Sequence, residues 1–406
     1  MGPPAIAPRT SLAFVLSALV IMTAAGVCIF LLPPGCIVAS AFALAASAAL
    51  ALTPVAIQFS YRLGVLDVPD ERKEHERPMP LLGGPAVLAA FAAASVLGLW
   101  SLPNGLLSVE LRTQLAGTLA AGALIALMGV ADDRWGLKPG VRLIGQLAAV
   151  CLVMRCGVMM SFLPPTPLGR LGEIVLTMLW LVGITNSVNF LDGLDGLASG
   201  VSTVAALSFG VIAALTGQAA VAVVSFCLAG AALGFLKYNF RPASIYLGDS
   251  GATFLGFTLA CIGVVGDWGT PDRAADLFVP VIVLGIPIYD TIYITIYRIR
   301  AGLVHNLSEL AAYVGRDHLQ HRLQHLGMRP ARACLFICLG AVMLGVLALL
   351  LQTKGPLDRY DKFLALAVVA IMFIGATILM ELGKNHRANG SRPDGSPAAE
   401  KGGDPV

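Results

Sequence analysis

Long apolar runs separated by short polar connections dominate the chain. Runs of membrane length recur twelve times, near 11–32, 36–57, 81–101, 113–131, 141–158, 172–188, 197–216, 219–237, 250–266, 277–297, 332–352 and 361–381. About 20 residues at 1.5 Å per residue cover the roughly 30 Å hydrocarbon core of a bilayer, so each run predicts a transmembrane helix. The pattern predicts an all-α polytopic membrane protein with about 11–12 transmembrane helices.

Composition supports this prediction and divides the chain. Of its 406 residues, 57% are hydrophobic and 13% are charged, whereas soluble domains carry about 25% charged residues. We expect an additional N-terminal transmembrane helix in 1–35 and the main membrane domain in 36–382. The segment 383–406 is rich in Gly, Pro, Ser and charge, which predicts a disordered tail.

The distribution of positive charge predicts an orientation. With the N-terminus inside, 20 of the 27 Lys and Arg residues lie in the inner connections and tails. Because Lys and Arg accumulate on the cytoplasmic side, we expect both termini and the polar clusters to be cytoplasmic. The outer connections are short, so the pattern predicts an active-site cleft on the cytoplasmic face.

Acidic and amide side chains are concentrated at three inner connections. Asp132 and Asp133 end the fourth run, where two adjacent carboxylates are costly to keep ionised together. Asp249 stands between Gly248 and Gly251 at the start of a helix, where backbone N–H groups can receive phosphate. A divalent cation or a shared proton would relieve the repulsion between Asp132 and Asp133.

The third acidic connection contains a regularly spaced polar series. Its members recur every three residues, so a helical backbone would stack them on one face; they are Asn186, Asn189, Asp192 and Asp195. Polar side chains at membrane depth usually face a protein interior or an aqueous cavity. Gly193 and Gly196 loosen the backbone here, which allows a ligand to approach closely.

Basic residues and histidines occupy two other inner connections. In the segment 66–78, Lys73 or Arg77 is a candidate for holding an anionic group at the membrane surface. The long connection 298–331 contains Arg and His residues suited to phosphate recognition; they are Arg298, Arg300, Arg316, His318, His321, Arg322 and His325. Zinc is an alternative because of the H-x-x-H spacing, but no Glu lies between the histidines and no Cys lies nearby. Asp290 adds an intramembrane acid, which is functional by default.

The acidic and basic clusters share one chemical solution. Carboxylates alone would repel a phosphorylated substrate, whereas Mg²⁺ binds one or two carboxylates together with substrate phosphates. The combination predicts metal-assisted phosphoryl transfer at the membrane surface.

Five motifs in this order resemble a known enzyme family. D-V-P-D-E-R-K…P-L-L-G-G, D-D-R, N-S-V-N-F-L-D-G-L-D-G-L-A, Y-L-G-D-S-G and R-D-H-L-Q-H-R-L resemble motifs of the polyprenyl-phosphate N-acetylhexosamine-1-phosphate transferases, also called glycosyltransferase family 4. Among these, the undecaprenyl-phosphate N-acetylglucosaminyl-1-phosphate transferases are the most similar. The resemblance covers roughly residues 45–330, so the span 11–32 lies beyond the usual core.

The resemblance implies a reaction and its partners. A sugar-1-phosphate, N-acetylhexosamine-1-phosphate for this family, passes from a UDP-sugar to undecaprenyl or another polyprenyl phosphate, and UMP is released. The reaction starts a lipid-linked glycan of the cell envelope at the bacterial inner membrane. The implied cofactor is Mg²⁺, with Mn²⁺ as an alternative. No nucleic acid is expected as a partner, and a homodimer stays open.

The resemblance also implies roles for particular residues. Asp249 and Asn189 match metal positions, and Asp249 joins Asp132 and Asp133 as catalytic residues; one of the adjacent pair is expected to deprotonate the lipid phosphate. The remaining matches are to substrate-binding positions: Lys73, Asn186, Asp192, Asp195, Tyr246, Arg300, His318 and His321. Tyr246 is expected to stack on uracil. Gln320 stands where the family motif has the first of two adjacent histidines, in the loop where sugar selectivity differs.

Two other interpretations compete with this one. A multi-span transporter of an anionic solute would show repeats and broken helices at mid-membrane, whereas the polar residues here lie at helix ends. A CDP-alcohol phosphotransferase would need Ala-Arg after Asp192-Gly193 and a later D-x-x-x-D, and 192–216 has neither. A direct in-line attack and a covalent aspartyl-phosphate route both fit the acidic residues.

Overall fold

The computed structural model is a bundle of helices joined by short connections. It describes residues 12–31, 36–69, 77–103, 105–268, 277–304, 309, 315, 317–352 and 359–390. In these residues the helices are α1 (Leu12–Leu31), α2 (Ile37–Leu63), α3 (Gly83–Trp100), α4 (Val109–Trp135), α5 (Pro139–Arg155), α6 (Pro167–Leu191), α7 (Leu197–Leu215), α8 (Ala219–Asn239), α9 (Gly248–Val265), α10 (Phe278–Val283), α11 (Gly285–Arg300), α12 (Leu319–His325), α13 (Pro330–Gln352) and α14 (Arg359–Gly390). Two two-residue strands, β1 (Leu66–Asp67) and β2 (Met79–Pro80), pair antiparallel.

The all-α prediction is confirmed, and each of the twelve apolar runs coincides with helix. Eight helices in the described part are long and apolar enough to span a membrane: α2, α3, α4, α6, α7, α8, α9 and α13. The chain is therefore a multi-pass membrane protein. The run 277–297 is divided into α10 and α11. Helix α14 continues to Gly390, into the segment predicted to be a disordered tail.

Local signals in the sequence explain where several helices begin and end. The Ser108 hydroxyl caps α4 by accepting a hydrogen bond from Leu111 N at 3.1 Å, and the Thr166 hydroxyl caps α6 by accepting one from Gly169 N at 3.0 Å. These caps satisfy N–H groups that lack a partner in the first turn. Gly136 ends α4 in the left-handed conformation, which glycine adopts without strain.

Helices α8 and α9 form the centre of the bundle. Their side chains are buried along most of their length, and α2, α7 and α4 pack around them. Helix α4 approaches the start of α9 closely, because a Cβ on Gly129 would lie only 2.2 Å from the Ser250 Cα. Small residues let helices in a membrane bring their backbones together in this way. The contact places the end of α4 beside the start of α9.

Candidate active site

Three helix ends meet at one end of the bundle and bring the acidic motifs together. Asp132 and Asp133 lie in the last turn of α4, Asn189 lies in the last turn of α6, and Asp249 lies in the first turn of α9. We call these four residues the acidic cluster. The predicted convergence of these motifs is found in the structure, although their ligands and roles stay predictions.

Asp133 holds the start of α9. Its Oδ1 accepts a hydrogen bond from Asp249 N at 2.8 Å, and its Oδ2 accepts one from Ser250 N at 3.2 Å. A carboxylate at a helix N-terminus is favoured by the helix dipole. Asp133 thus occupies two of the N–H groups at this helix start, and the predicted phosphate contact stays a prediction. The geometry gives Asp133 a positioning role toward Asp249.

A guanidinium lies between the two remaining carboxylates of the cluster. Arg142 Nη1 lies 2.9 Å from Asp132 Oδ2 and 3.6 Å from Asp249 Oδ2. The other oxygen of Asp249 accepts a hydrogen bond from Asn189 Nδ2 at 3.0 Å, and the other oxygen of Asp132 accepts one from Leu137 N at 2.7 Å. Asp132 and Asp249 are therefore held close together with a positive charge between them.

The donor atoms of the cluster suit a hard cation. Asp132 Oδ2 is buried and forms an ion pair with Arg142. Among the described residues, no donor has the geometry of a hydrogen bond to this oxygen. No three His, Cys, Asp or Glu side chains of the described part form a ready-made metal cage. Mg²⁺ needs no such cage, because it takes one or two carboxylates and fills its other positions with water and substrate phosphate. Asp249 and the Asn189 amide thus fit the predicted metal.

The predicted polar series is not continuous, because the chain leaves the helical conformation between α6 and α7. Helix α6 ends at Leu191, so the helical register stops before Asp192 and Asp195. Asp192 lies among the acidic residues, and burial together with the charges of Asp249, Asp133 and Asp195 raises its pKa well above the ordinary value. Asp195 turns toward another segment, where its Oδ2 accepts a hydrogen bond from Ala243 N at 3.1 Å.

Asn186 belongs to a separate contact one turn further from the helix end. Its amide pairs with the amide of Gln146 of α5. Asn186 Nδ2 donates to Gln146 Oε1 at 2.9 Å, and Gln146 Nε2 donates to Asn186 Oδ1 at 3.2 Å. A second hydrogen bond runs from Asn186 Nδ2 to Val182 O at 2.8 Å. The geometry indicates that Asn186 joins α5 to α6, and its predicted contact with substrate stays untested.

Tyr246 lies beside the α6–α7 connection. Its backbone N donates to Pro80 O at 2.9 Å, which attaches the segment before α9 to β2. Burial, and then the charge of Asp195, raise the pKa of Tyr246 above its ordinary value. The phenol therefore stays neutral at physiological pH. A half-buried neutral ring near Asp192 and Asp195 is compatible with the predicted stacking on a base.

Helix α12, which carries Gln320 and His321, also packs against the α6–α7 connection. A Cβ on Gly193 would lie 3.4 Å from His321 Nε2 and 3.0 Å from Gln320 Nε2. Gln320 Nε2 donates to Phe190 O at 3.2 Å, while its Oε1 is buried without a hydrogen-bond partner among the described residues. His321 and Gln320 therefore lie next to Asp192, whereas the predicted contact of His321 with substrate stays a prediction.

His318 has a different environment from His321. Its Nδ1 lies 2.6 Å from Asp290 Oδ2, and its Nε2 lies 3.5 Å from Arg298 Nη2. Only 8% of the residue is exposed. Both ring nitrogens thus face protein groups, and this geometry favours a structural role over the predicted grip on diphosphate or sugar.

Of the two predicted basic ligands Arg300 and Lys73, the structure describes only Arg300. Arg300 is exposed at the end of α11, whereas Arg298 is buried and donates to both carboxylate oxygens of Asp317, at 2.9 and 2.7 Å. Lys73 lies outside the described residues. The predicted substrate contacts of Arg300 and Lys73 stay untested.

Arg142 was missing from the predicted site, and Arg298 was predicted to recognise phosphate instead of pairing with an acid. Both arginines nevertheless had a signal in the sequence. Arg142 is a cation in the first turn of α5, a position that the helix dipole disfavours unless an acid lies nearby. Arg298 lies eight residues after Asp290, on the same face of a helix. Both signals indicate a paired arginine but leave the partner unknown.

Comparisons with known proteins agree with the position of the cluster. The sequence profile of glycosyl transferase family 4 matches residues 115–267, which contain all four residues of the acidic cluster. A probable undecaprenyl-phosphate N-acetylglucosaminyl 1-phosphate transferase of Bacillus subtilis is 30% identical over 84% of this chain and 91% of the relative.

Other relatives carry similar descriptions. A decaprenyl-phosphate N-acetylglucosaminephosphotransferase of Mycolicibacterium smegmatis is 32% identical over 78% of this chain and 82% of the relative. An undecaprenyl-phosphate alpha-N-acetylglucosaminyl 1-phosphate transferase of Escherichia coli O157:H7 is 26% identical over 78% of this chain and 83% of the relative. With identity of this level over most of both chains, the protein belongs to glycosyl transferase family 4.

Proposed function

We propose that the protein transfers N-acetylhexosamine-1-phosphate from a UDP-sugar to a polyprenyl phosphate, releases UMP and so starts a lipid-linked glycan of the cell envelope. The observation that carries the proposal is the meeting of Asp132, Asn189 and Asp249 at one end of a membrane bundle. The descriptions of the relatives support the sugar and the lipid acceptor. The bacterial relatives support a bacterial plasma membrane, and the distribution of Lys and Arg supports an orientation with the acidic cluster and both termini on the cytoplasmic side.

The residues of the cluster divide the work of an in-line transfer. Asp249 and Asn189 would hold Mg²⁺, which supplies neutralisation of the diphosphate charge when bound. Asp133 keeps Asp249 in place through the start of α9. Since both oxygens of Asp133 accept backbone N–H groups, Asp132 is the better base for the lipid phosphate proton, because its Oδ2 accepts no backbone N–H and has only its ion pair with Arg142.

The bonds that form and break follow from the substrates. An oxygen of the polyprenyl phosphate attacks the phosphorus attached to the sugar. The bond from that phosphorus to the bridging oxygen breaks, and UMP leaves with the electron pair. Placing the two phosphates in line accounts for much of the acceleration in reactions of this class.

The direct test uses purified protein in detergent with undecaprenyl phosphate and a panel of radiolabelled UDP-sugars. We expect Mg²⁺-dependent transfer of label from a UDP-N-acetylhexosamine into butanol-extractable lipid, with one UMP released for each lipid labelled. The absence of transfer from every sugar in the panel, with folded protein and both substrates present, would overturn the proposal.

Tyr246→Ala is expected to weaken use of the UDP-sugar selectively. Loss of base stacking costs about 1–3 kcal/mol, so the KM for the UDP-sugar should rise about 10-fold while the KM for polyprenyl phosphate changes little. Tyr246→Phe is the matched control, because it keeps the ring and removes only the hydroxyl. An equal rise in both KM values for Tyr246→Ala would contradict stacking on the nucleotide.

A further inference from the structure

Helix α12, which carries His321, is attached to α11 on the side away from the α6–α7 connection. Asp290 accepts a hydrogen bond from Leu319 N at 2.8 Å and pairs with His318. Arg298 forms the two-point contact with Asp317. Burial alone would raise the pKa of Asp317, but Arg298 holds it below the ordinary value, so this pair stays ionised at neutral pH. The start of α12 is therefore fixed to α11.

Arg322 adds a second connection, from α12 to the last helix. Its Nε donates to Asp317 O at 2.8 Å, and its Nη1 donates to Met380 O of α14 at 2.7 Å. The guanidinium also lies over the rings of Tyr297, at 4.6 Å, and Tyr293, at 5.3 Å. Only 3% of Arg322 is exposed. A buried guanidinium of this kind is costly to leave without its partners.

Helices α11 and α14 are joined by polar contacts around the same arginine. The Tyr293 hydroxyl donates to the Glu381 carboxylate, and the hydroxyls of Tyr289 and Thr377 lie 2.8 Å apart. Tyr289 also stacks on Phe373 with ring centroids 5.1 Å apart. Helix α14 is thus attached to α11 and α12 by specific groups, not only by apolar packing.

The opposite side of α12 contacts the α6–α7 connection. The Gln320 amide donates to Phe190 O, and Gly193 leaves no spare room under Gln320 and His321. Phe190 directly follows Asn189 of the acidic cluster, and Gly193 directly follows Asp192. Helix α12 therefore lies between α14 and the acidic cluster, and a shift of α14 would move the groups beside Asp192.

We propose that α14 helps to position the active site and that Arg322 is the positioning residue that joins α14 to α12, the helix that carries His321. Arg322 fixes α12 so that His321 and the α6–α7 connection stay aligned with the acidic cluster, and it does not itself contact substrate. The kinetic consequence rests on the proposed function. The mechanical coupling from α14 through α12 to residues 190–197 does not.

Hydrogen exchange on the full-length protein tests the coupling without substrate. In Arg322→Met we expect the amides of 319–326 and of 190–197 to exchange at least about 5-fold faster than in the unchanged protein. Arg332→Met is the control, because Arg332 is exposed near the start of α13, and it should leave both segments unchanged. Faster exchange in 319–326 alone, or in neither segment, would overturn the coupling whatever reaction the protein performs.

Kinetics test the consequence for the site. After turnover by the unchanged enzyme is established, kcat per folded Arg322→Met molecule should fall roughly 30-fold, since small misplacements of catalytic groups are costly. The KM values should change less than about 3-fold, because no substrate contact is removed. Arg322→Lys should be intermediate, because an ammonium keeps the charge over the tyrosines but cannot bridge Asp317 O and Met380 O.

A purely structural role has a different signature. It would lower the yield of folded protein while leaving the kcat of the folded fraction unchanged, and that result would overturn the proposal. If Arg322→Met does not fold, Tyr293→Phe provides the decision, since it removes only the hydroxyl contact with Glu381. A lower kcat with faster exchange in 190–197 supports the coupling, and an unchanged kcat with unchanged exchange overturns it.

Discussion

Replacing Asp249 by asparagine is expected to reduce turnover by roughly 10³-fold, the scale at which loss of one preorganised electrostatic group affects catalysis. Asparagine keeps the size of the side chain and removes one negative charge. The backbone N of residue 249 can keep its contact with Asp133, and an amide oxygen can still accept from Asn189, so the variant loses the charge and keeps the position. Single-turnover transfer of label at saturating UDP-sugar and Mg²⁺ is the measurement.

The control for this variant is Asp267→Asn. Asp267 follows the other end of α9 and is exposed, so the same chemical change there should preserve turnover. Both variants should elute as folded protein with unchanged thermal midpoints. Retention of more than about a tenth of the activity by Asp249→Asn would contradict a central electrostatic role for this carboxylate.

Gly129→Ala is expected to damage both stability and activity. The added Cβ would lie 2.2 Å from Ser250 Cα and 2.5 Å from Ser250 N, and backbone atoms cannot rotate away as a side chain can. Helix α4 must therefore move from α9, at a cost of about 3 kcal/mol or more, the upper end for overpacking in a core. Asp133 would lose its hold on Asp249 N and Ser250 N, so activity should fall by more than about 100-fold.

Gly183→Ala is the matched control for that substitution. Gly183 also lies inside a membrane-length helix, but nothing lies within 4 Å of the Cβ that alanine would add. Its thermal midpoint should be unchanged or slightly higher, because alanine is the better helix former. Equal thermal midpoints and activities for the two variants would show that the α4–α9 approach is less tight than the structure indicates.

The helical architecture could be predicted from the sequence because each membrane span depends on a run of consecutive apolar residues. The apolar runs locate the long helices, although some ends lie well beyond the runs, as at Gly390 of α14, and local caps such as Ser108 explain where others begin. The break between α10 and α11 was missed, because the run 277–297 stays apolar through it. The short β1–β2 pair was also missed, since two residues per strand leave no periodic pattern.

The acidic cluster was predicted in composition but only partly in geometry. Five motifs indicated which side chains would meet, yet the spacing of Asn186 and Asp195 suggested one continuous series. The end of α6 at Leu191 separates them, and each binds a different segment. Pairings such as Asp133 with the start of α9 join residues more than a hundred positions apart, which no local periodicity can reveal.

The arginine between Asp132 and Asp249 has a consequence for the protein before any ion arrives. Arg142 offsets part of the negative charge of the two carboxylates, so their mutual repulsion is weaker than it would be without the guanidinium. Binding of the proposed divalent ion would then be an exchange of one cation for another, in which the ion would replace the guanidinium. Such an exchange would lower the affinity for the ion while the carboxylates stay close together, and this would suit an ion that binds and leaves with the proposed nucleotide substrate.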